Sequence, residues 1–210
     1  MPSESARLRV GLIGPGKLAG QYLAPAFAKS STACRWSVLG RDMNRTAQFA
    51  HTHSAHSTAP AFTELQPFLA DPDLDAVLIT TPDSTHALYA VAALERRLPV
   101  LVEKPMCVNM EDGFRVVATA ARMGTHLAVG YHLRHHAGLQ LLCEKVHDGV
   151  LGEVRHMRVQ WTYLSPNGPP HWRNHDADTC WWSLGAFGTH LIDLIRLGAS
   201  ACLWRNHRGY

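Results

Sequence analysis

Gly14, Gly16 and Ala19 stand at the spacing G-x-G-x-x-A, directly after the apolar run Leu8–Ile13 and ahead of a helix-compatible stretch through Gln21, Ala24, Phe27 and Ala28. Residue types at this spacing can grip the pyrophosphate of a dinucleotide. Glycine at 14 permits a sharp turn, glycine at 16 lets the backbone approach the phosphates, and a small residue at 19 allows close helix–strand packing. Lys17 and Leu18 then open the new helix, where free amides and the positive end of the dipole face an anion. An ordinary strand–turn–helix connection is the alternative reading of the same residues.

A second apolar run, Trp36–Leu39, ends in Gly40-Arg41-Asp42. An acidic residue at the end of such a strand would hydrogen-bond the adenosine 2′-hydroxyl of NAD. Gly40 and Arg41 instead leave room for a 2′-phosphate and supply a forked cation for it, with Arg45 one helical turn further on. The pattern predicts NADP, with NAD as the alternative if Asp42 serves a ribose.

Other constellations lack the partners their chemistry would need. His51-x-His53-x-x-His56 and His132-x-x-His135-His136 have no cysteine or carboxylate at a zinc-site spacing, so no metal is expected. Cys34, Cys107, Cys143, Cys180 and Cys202 are odd in number and form no C-x-x-C pair, which fits a reducing compartment.

Composition bounds the rest. With 210 residues, 46% of them hydrophobic and 18% charged, the chain has room for one good-sized domain or one domain and part of another. A net charge of +3 without a Lys/Arg cluster argues against a nucleic-acid partner. The N-terminus lacks an apolar signal region, and no apolar run approaches the roughly 18 residues of a membrane span. A cytoplasmic protein with no membrane partner is expected.

The elements that must position these residues alternate through the first 130 positions. Strand-like runs at Leu8–Ile13, Trp36–Leu39, Asp75–Thr81, Leu98–Val102 and His126–Gly130 are separated by helix-like stretches, including 44–51, 63–70 and a segment capped by Ser84 that runs to Arg97. Asn109 can cap another helix, with Glu111 and Asp112 in its first turn. Such alternation implies a doubly wound parallel sheet, which takes ligands at the carboxyl ends of its strands. Gly14, Arg41, Thr81 and Lys104 fall at those ends.

After Tyr131 the pattern changes. A helix over 136–148 is followed by an alternating stretch, 154–164, that predicts a strand with Met157, Val159, Trp161 and Tyr163 on one face. Leu184, Phe187, Leu191, Ile192 and Ile195 recur at helical spacing and predict a helix burying that face.

With Gly14-x-Gly16-x-x-Ala19, Thr80-Thr81-Pro82, His86, Glu103-Lys104-Pro105 and Gly188-x-His190-x-x-Asp193 in order, the chain resembles the Gfo/Idh/MocA family of NAD(P)-dependent oxidoreductases over about residues 7–197. The resemblance implies an α/β protein: a Rossmann-type dinucleotide-binding domain over 1–130, then an α/β substrate domain of which 131–210 would be an incomplete part. It implies dehydrogenase or reductase activity on a sugar, polyol or related hydroxy compound. The alternative is a non-catalytic dinucleotide-binding sensor, or an inactive truncated remnant.

The family match also assigns roles. Lys104, where the family keeps its catalytic lysine, would take or give the hydroxyl proton, and His190 would be the second proton-transfer or substrate-orienting group. Thr80, Thr81 and Pro82 would line the nicotinamide side, with His86 and Glu103 beside them, His86 being alternatively a simple helix-start residue. Tyr131, Trp172 and Arg173 would join His190 in the substrate cleft, unless the aromatic groups merely pack. One position departs from the pattern: many members carry an aspartate four residues before the histidine, and this chain has Ala186.

A single strand and two helices make a thin layer, and two or three strands are generally needed for an independently stable sheet. We therefore expect 1–130 to fold as a cooperative unit. Residues 131–210 are expected to be looser or to cover their apolar surface by homo-oligomer formation.

Overall fold

The computed structural model describes residues 7–53, 60–162 and 183–206. Six short apolar segments, β1 (Leu8–Ile13), β2 (Ala33–Leu39), β3 (Ala61–Phe62), β4 (Ala76–Ile79), β5 (Val100–Val102) and β6 (Leu127–Val129), pair in the order β3-β2-β1-β4-β5-β6. Every pairing is parallel. This is the doubly wound Rossmann arrangement. The strand order reverses between β1 and β4, and ligands of such sheets bind in the crevice outside that point.

The strands are apolar because both faces of the sheet are covered. Ile13, Val77, Ile79, Val100 and Val102 pack on one side with Phe68, Ala90, Leu94 and Val116, all of them buried. Leu12 and Leu78 face the other side, against Ala19, Leu23, Phe27 and Phe49. Fully burying a side chain such as Phe68 contributes about 1.5–3 kcal/mol.

The covering helices are α1 (Ala24–Lys29), α2 (Met43–His53), α3 (Leu65–Leu69), α4 (His86–Glu95) and α5 (Met110–Met123). A π-helical turn, Ala19–Leu23, runs directly into α1, and Pro25, which has no N–H to donate, falls where the π winding gives way to α. Helix α5 has complete end signals. The Asn109 side chain accepts from the Asp112 amide at 2.8 Å, Glu111 and Asp112 oppose the dipole, and Gly124 closes the helix at φ +63°.

Three local expectations change. Ser84 does not cap the helix: it lies inside a 3₁₀ turn, Asp83–Thr85, and α4 opens only at His86. The described part of the expected strand, 154–162, forms no ladder, and Met157 and Trp161 are 37% and 41% exposed. Its alternating side chains lack a neighbouring strand among the described residues, and alternation without a ladder partner does not make a strand. Tyr163 and Leu164 lie outside the described residues.

The third change concerns the last helix. It begins as a π-helical segment, Leu184–Gly188, and continues as α7 (Thr189–Asn206). Ala186, His190 and Asp193 form its buried stripe, whereas Leu184, Ile192 and Ile195 are exposed. An ion pair and an aromatic cluster described below select that stripe, and they outweigh the apolar periodicity.

The chain divides into two compact units, Met1–Gly130 and Tyr131–Tyr210. The first holds the sheet and α1–α5. In the second, a 3₁₀ turn, His132–His135, leads into α6 (Ala137–His147), which packs against α7.

One buried residue was not anticipated. Arg35 on β2 is 2% exposed, donates from Nη2 to the Ala50 carbonyl at 3.1 Å and lies over the Phe49 ring. Its Nε and Nη1 find no hydrogen-bond partner among the described residues. Desolvation pulls its pKa down to about 10.

Candidate functional site

At the carboxyl ends of β1, β2 and β4 the first unit encloses a cleft of about 310 Å³. Gly14, Gly16, Gly40, Arg41, Arg45, Thr80, Thr81 and Pro82 all line it, so eight residues proposed from sequence for the cofactor meet in one place. Asp42, weighed from sequence as a ribose ligand, lines it too, and Ile13, Pro15, Leu39, Thr46, Thr63, Leu65, Thr85 and Tyr89 complete the lining without having been proposed as ligand contacts. Thr85 and Tyr89 lie four residues apart across the start of α4, a helical spacing that could have found them once α4 was placed.

Position 14, in the turn after β1, has room only for glycine. Gly14 sits at φ +94°, and a Cβ there would stand 2.8 Å from Thr81 Cγ2 and 2.9 Å from the Thr81 amide nitrogen. That closeness joins the ends of β1 and β4. The Thr80 hydroxyl donates to the Gly14 carbonyl at 2.7 Å, and the Thr80 amide donates to Ile13 at 2.9 Å. The helical chain starts at Lys17 and Leu18, with the Gly20 amide closing on the Gly16 carbonyl at 3.0 Å. Amides of that first turn have no intrahelical acceptor and are left for a ligand. The open, donor-rich cradle fits a pyrophosphate.

The end of β2 is equally specific. A Cβ on Gly40 would collide with the Thr46 hydroxyl and the Pro15 ring, so the position is closed to any larger residue. Asp42 is occupied locally. Its Oδ1 accepts from the Arg45 amide at 2.8 Å, and its carbonyl accepts from the Thr46 hydroxyl at 2.6 Å, which fastens the start of α2. Arg41 and Arg45 are exposed at the cleft, and no carboxylate among the described residues pairs with either.

Next along the sheet, Glu103 continues the β5 ladder by donating its amide to Ile79 at 2.9 Å. Its carboxylate reaches Gly130, where a Cβ would lie 3.1 Å from Oε1, and accepts from the Lys104 amide at 3.3 Å. Lys104 is half-buried at the strand end, and the Lys104–Pro105 peptide is cis. His86 is 1% exposed, with Nδ1 at 2.7 Å from the Pro105 carbonyl and Nε2 at 2.9 Å from the Thr81 carbonyl. Lys17, Leu18, His86, Glu103 and Lys104 are not part of the cleft lining.

In the second unit His190 is 3% exposed and ringed by aromatic groups. Ring centroids of Tyr131, His132 and Trp161 lie 5.8, 4.8 and 6.1 Å from it. Arg134 forms a two-point ion pair with Asp193, one turn beyond His190, and the carboxylate raises the guanidinium pKa. Tyr131 and His190 are thus brought together, while Trp172 and Arg173 lie outside the described residues. Ala186 occupies the buried stripe of the helix, 7% exposed. Among the described residues no group of His, Cys, Asp or Glu could hold a metal ion. No helix of the described residues is long and apolar enough to cross a membrane.

Residues 8–131 match the model of the Gfo/Idh/MocA oxidoreductase family, NAD-binding Rossmann fold. The chain belongs to that family. Among Gfo/Idh/MocA proteins it is 29% identical over 192 residues to inositol 2-dehydrogenase 4 of Saccharopolyspora erythraea, covering 87% of this chain and 55% of that protein. Its fold is similar to that of KijD10, a 3-ketoreductase from Actinomadura kijaniata crystallised with TDP-benzene and NADP. There the TM-score is 0.63 and the identity 26%, over 71% of this chain and 46% of that one. The WlbA dehydrogenase from Chromobacterium violaceum, in complex with NADH and UDP-GlcNAcA, matches at a TM-score of 0.63 and 27% identity, over 70% of this chain and 42% of that one. The chain therefore spans about half the length of the curated relatives it matches. A nicotinamide dinucleotide is the cofactor class of the family, and these two neighbours hold different members of it.

Proposed function

We propose that this chain carries the dinucleotide half of an NADP(H)-dependent oxidoreductase acting on a sugar, polyol or related hydroxy compound. The observation that carries the cofactor choice is the state of Asp42: its carboxylate caps α2, leaving Arg41 and Arg45 as the side-chain charges at the end of β2. A cation pair whose neighbouring carboxylate is engaged by the start of its own helix suits a 2′-phosphate better than a bare ribose. The acceptor class follows the relatives, whose names include an inositol dehydrogenase and a sugar-nucleotide-bound dehydrogenase.

When bound, the nicotinamide supplies hydride exchange. The chain's own residues do the remaining work. The Gly14–Gly16 turn and the amides after it hold the pyrophosphate, and Thr80, Thr81 and Pro82 form the wall next to it. Lys104 Nζ gives a proton to the carbonyl oxygen in reduction, or takes it from the hydroxyl in oxidation. His190, shielded by Tyr131, His132 and Trp161, orients the substrate or passes the proton on.

A second reading, a dinucleotide-binding sensor without turnover, is favoured by one residue. Ala186 stands where many members carry an aspartate, so His190 lacks that carboxylate neighbour on its helix. Reduction of a panel of sugars, inosones and keto-sugar nucleotides with NADPH separates the two. Turnover in the parent chain that disappears in Lys104→Ala, with NADPH affinity retained, is the expected result. NADPH binding without turnover on any member of the panel selects the sensor.

A further inference from the structure

His86 is the first residue of α4, and its ring touches two loops. Nε2 lies 2.9 Å from the carbonyl of Thr81, in the loop after β4, and Nδ1 lies 2.7 Å from the carbonyl of Pro105, directly after Lys104. The ring is 1% exposed and sits behind the cleft, outside its lining. These placements give it little access to a dinucleotide and full access to the backbone that shapes the dinucleotide's surroundings.

We propose that His86 is a positioning residue: its imidazole straps the Glu103-Lys104-Pro105 turn to the Thr80-Thr81-Pro82 loop and thereby fixes where Lys104 stands relative to the wall of the cleft. The inference rests on the reading of Lys104 as the proton-transfer group. Neighbouring strands already align β4 with β5 as far as Ile79 and Val102. Beyond those residues the ladder ends with the Glu103 amide bonded to Ile79. Residues 104–105 therefore depend on contacts other than the sheet, and a displacement of about 1 Å at a reacting group can cost on the order of a hundredfold in rate. A neutral ring donates to one of the two carbonyls, and a doubly protonated ring donates to both. The forms that carry a proton on Nδ1 hold the turn by a buried bond to the Pro105 carbonyl that water cannot replace at a 1% exposed site.

The two contacts can be separated chemically. Asparagine at position 86 places an amide N–H near the Nδ1 position and can restore the bond to Pro105. Glutamine places one near the Nε2 position and can restore the bond to Thr81. Only the asparagine variant should keep Lys104 in place.

The test uses the 210-residue chain without cofactor. Lys104 is methylated by formaldehyde and cyanoborohydride, its rate is read by peptide mass spectrometry against exposed Lys29, and circular dichroism confirms folding of each variant. His86→Ala and His86→Gln are expected to change the relative Lys104 rate by about threefold or more, and His86→Asn to return it toward the parent value. Equal Lys104 reactivity in the parent and all folded variants overturns the proposal, as does equal rescue by Asn and Gln, which would mark His86 as filler only. If His86→Ala does not fold, the Asn–Gln comparison decides alone. Where the parent turns over, kcat should follow the same order, with NADPH affinity within about twofold of the parent. Absence of turnover in the parent would sink the oxidoreductase reading and leave the Lys104 reactivities to decide the strap.

Discussion

Arg134 and Asp193, 59 residues apart in sequence, form a two-point ion pair, with Nε to Oδ2 at 2.8 Å and Nη2 to Oδ1 at 2.5 Å. The fork binds the 3₁₀ turn His132–His135 to α7 one turn from His190, and Arg134 also lies over the Tyr131 ring at 6.0 Å. It thus explains why a helix with apolar periodicity buries Asp193 and leaves Ile192 exposed.

Asp193→Ala should loosen this arrangement. Because Arg134 is about half exposed, the loss is expected to be about 1–2 kcal/mol, less than for a fully buried pair. Hydrogen exchange should speed up at amides 132–135 and 189–194 and stay unchanged in β4. Unchanged protection in the second unit would show that the pair does not hold the turn.

Gly14→Ala tests the cradle. The residue would face a φ of +94° and a contact 2.8 Å from Thr81 Cγ2, so the turn must shift. Loss of at least about 1 kcal/mol of stability is expected, together with loss of NADPH binding by fluorescence titration. Native affinity in a folded variant would mean that the β1 turn does not hold the dinucleotide.

Cofactor choice can be divided between neighbours. Arg41→Ala should remove most of a preference for NADPH over NADH, about 1–3 kcal/mol for a charge-assisted contact. Asp42→Ala should instead cost about 1 kcal/mol of stability through loss of the α2 cap and leave the preference in place. Equal affinity of the parent for both dinucleotides would overturn the assignment to NADP.

Arg35→Met removes a buried guanidinium with two nitrogens that have no hydrogen-bond partner among the described residues. Urea denaturation should show a change from neutral to stabilising by about 1 kcal/mol, since an unpaired buried charge is replaced by apolar atoms of similar length. Marked destabilisation would reveal a partner supplied in solution. In the parent, the depressed folded-state pKa of about 10 means that the unfolded chain binds more protons above that pH, so this group adds stability as pH rises through it.

Acid should act through Asp75. Arg9 donates to its carboxylate from Nε at 3.0 Å and from the backbone amide at 2.8 Å, and these bonds hold its pKa below the ordinary carboxylate value. The folded state therefore releases this proton more readily than the unfolded state. Its contribution is complete above the ordinary carboxylate pKa and is lost as pH falls through the depressed folded value. Thermal melts of Asp75→Asn should show a lower Tm than the parent at neutral pH and a smaller gap in acid. Parallel curves would remove Asp75 from the acid response.

What the sequence determined by itself is what short-range physics determines. The apolar runs of β1, β2, β4, β5 and β6, the glycine turn at 14–16, the Asn109 cap and the Gly40-Arg41 ending all depend on residues within a few positions of one another, and each was legible from type and spacing. A doubly wound sheet then follows from alternation, and with it the gathering of Gly14, Arg41 and Thr81 at one edge. Tertiary structure decided whatever depends on which loops become neighbours. The hydroxyl of Thr80 on the Gly14 carbonyl, the His86 ring on the Pro105 carbonyl, and the Arg134 fork on Asp193 join residues 19 to 66 positions apart, with no local periodicity to announce them. The same dependence accounts for 154–162, where alternation met no strand partner among the described residues, and for α7, where the Arg134–Asp193 ion pair and an aromatic shell around His190 overrode its apolar face. A pattern can state that a face is suited to burial; only the partner that arrives decides which face is buried.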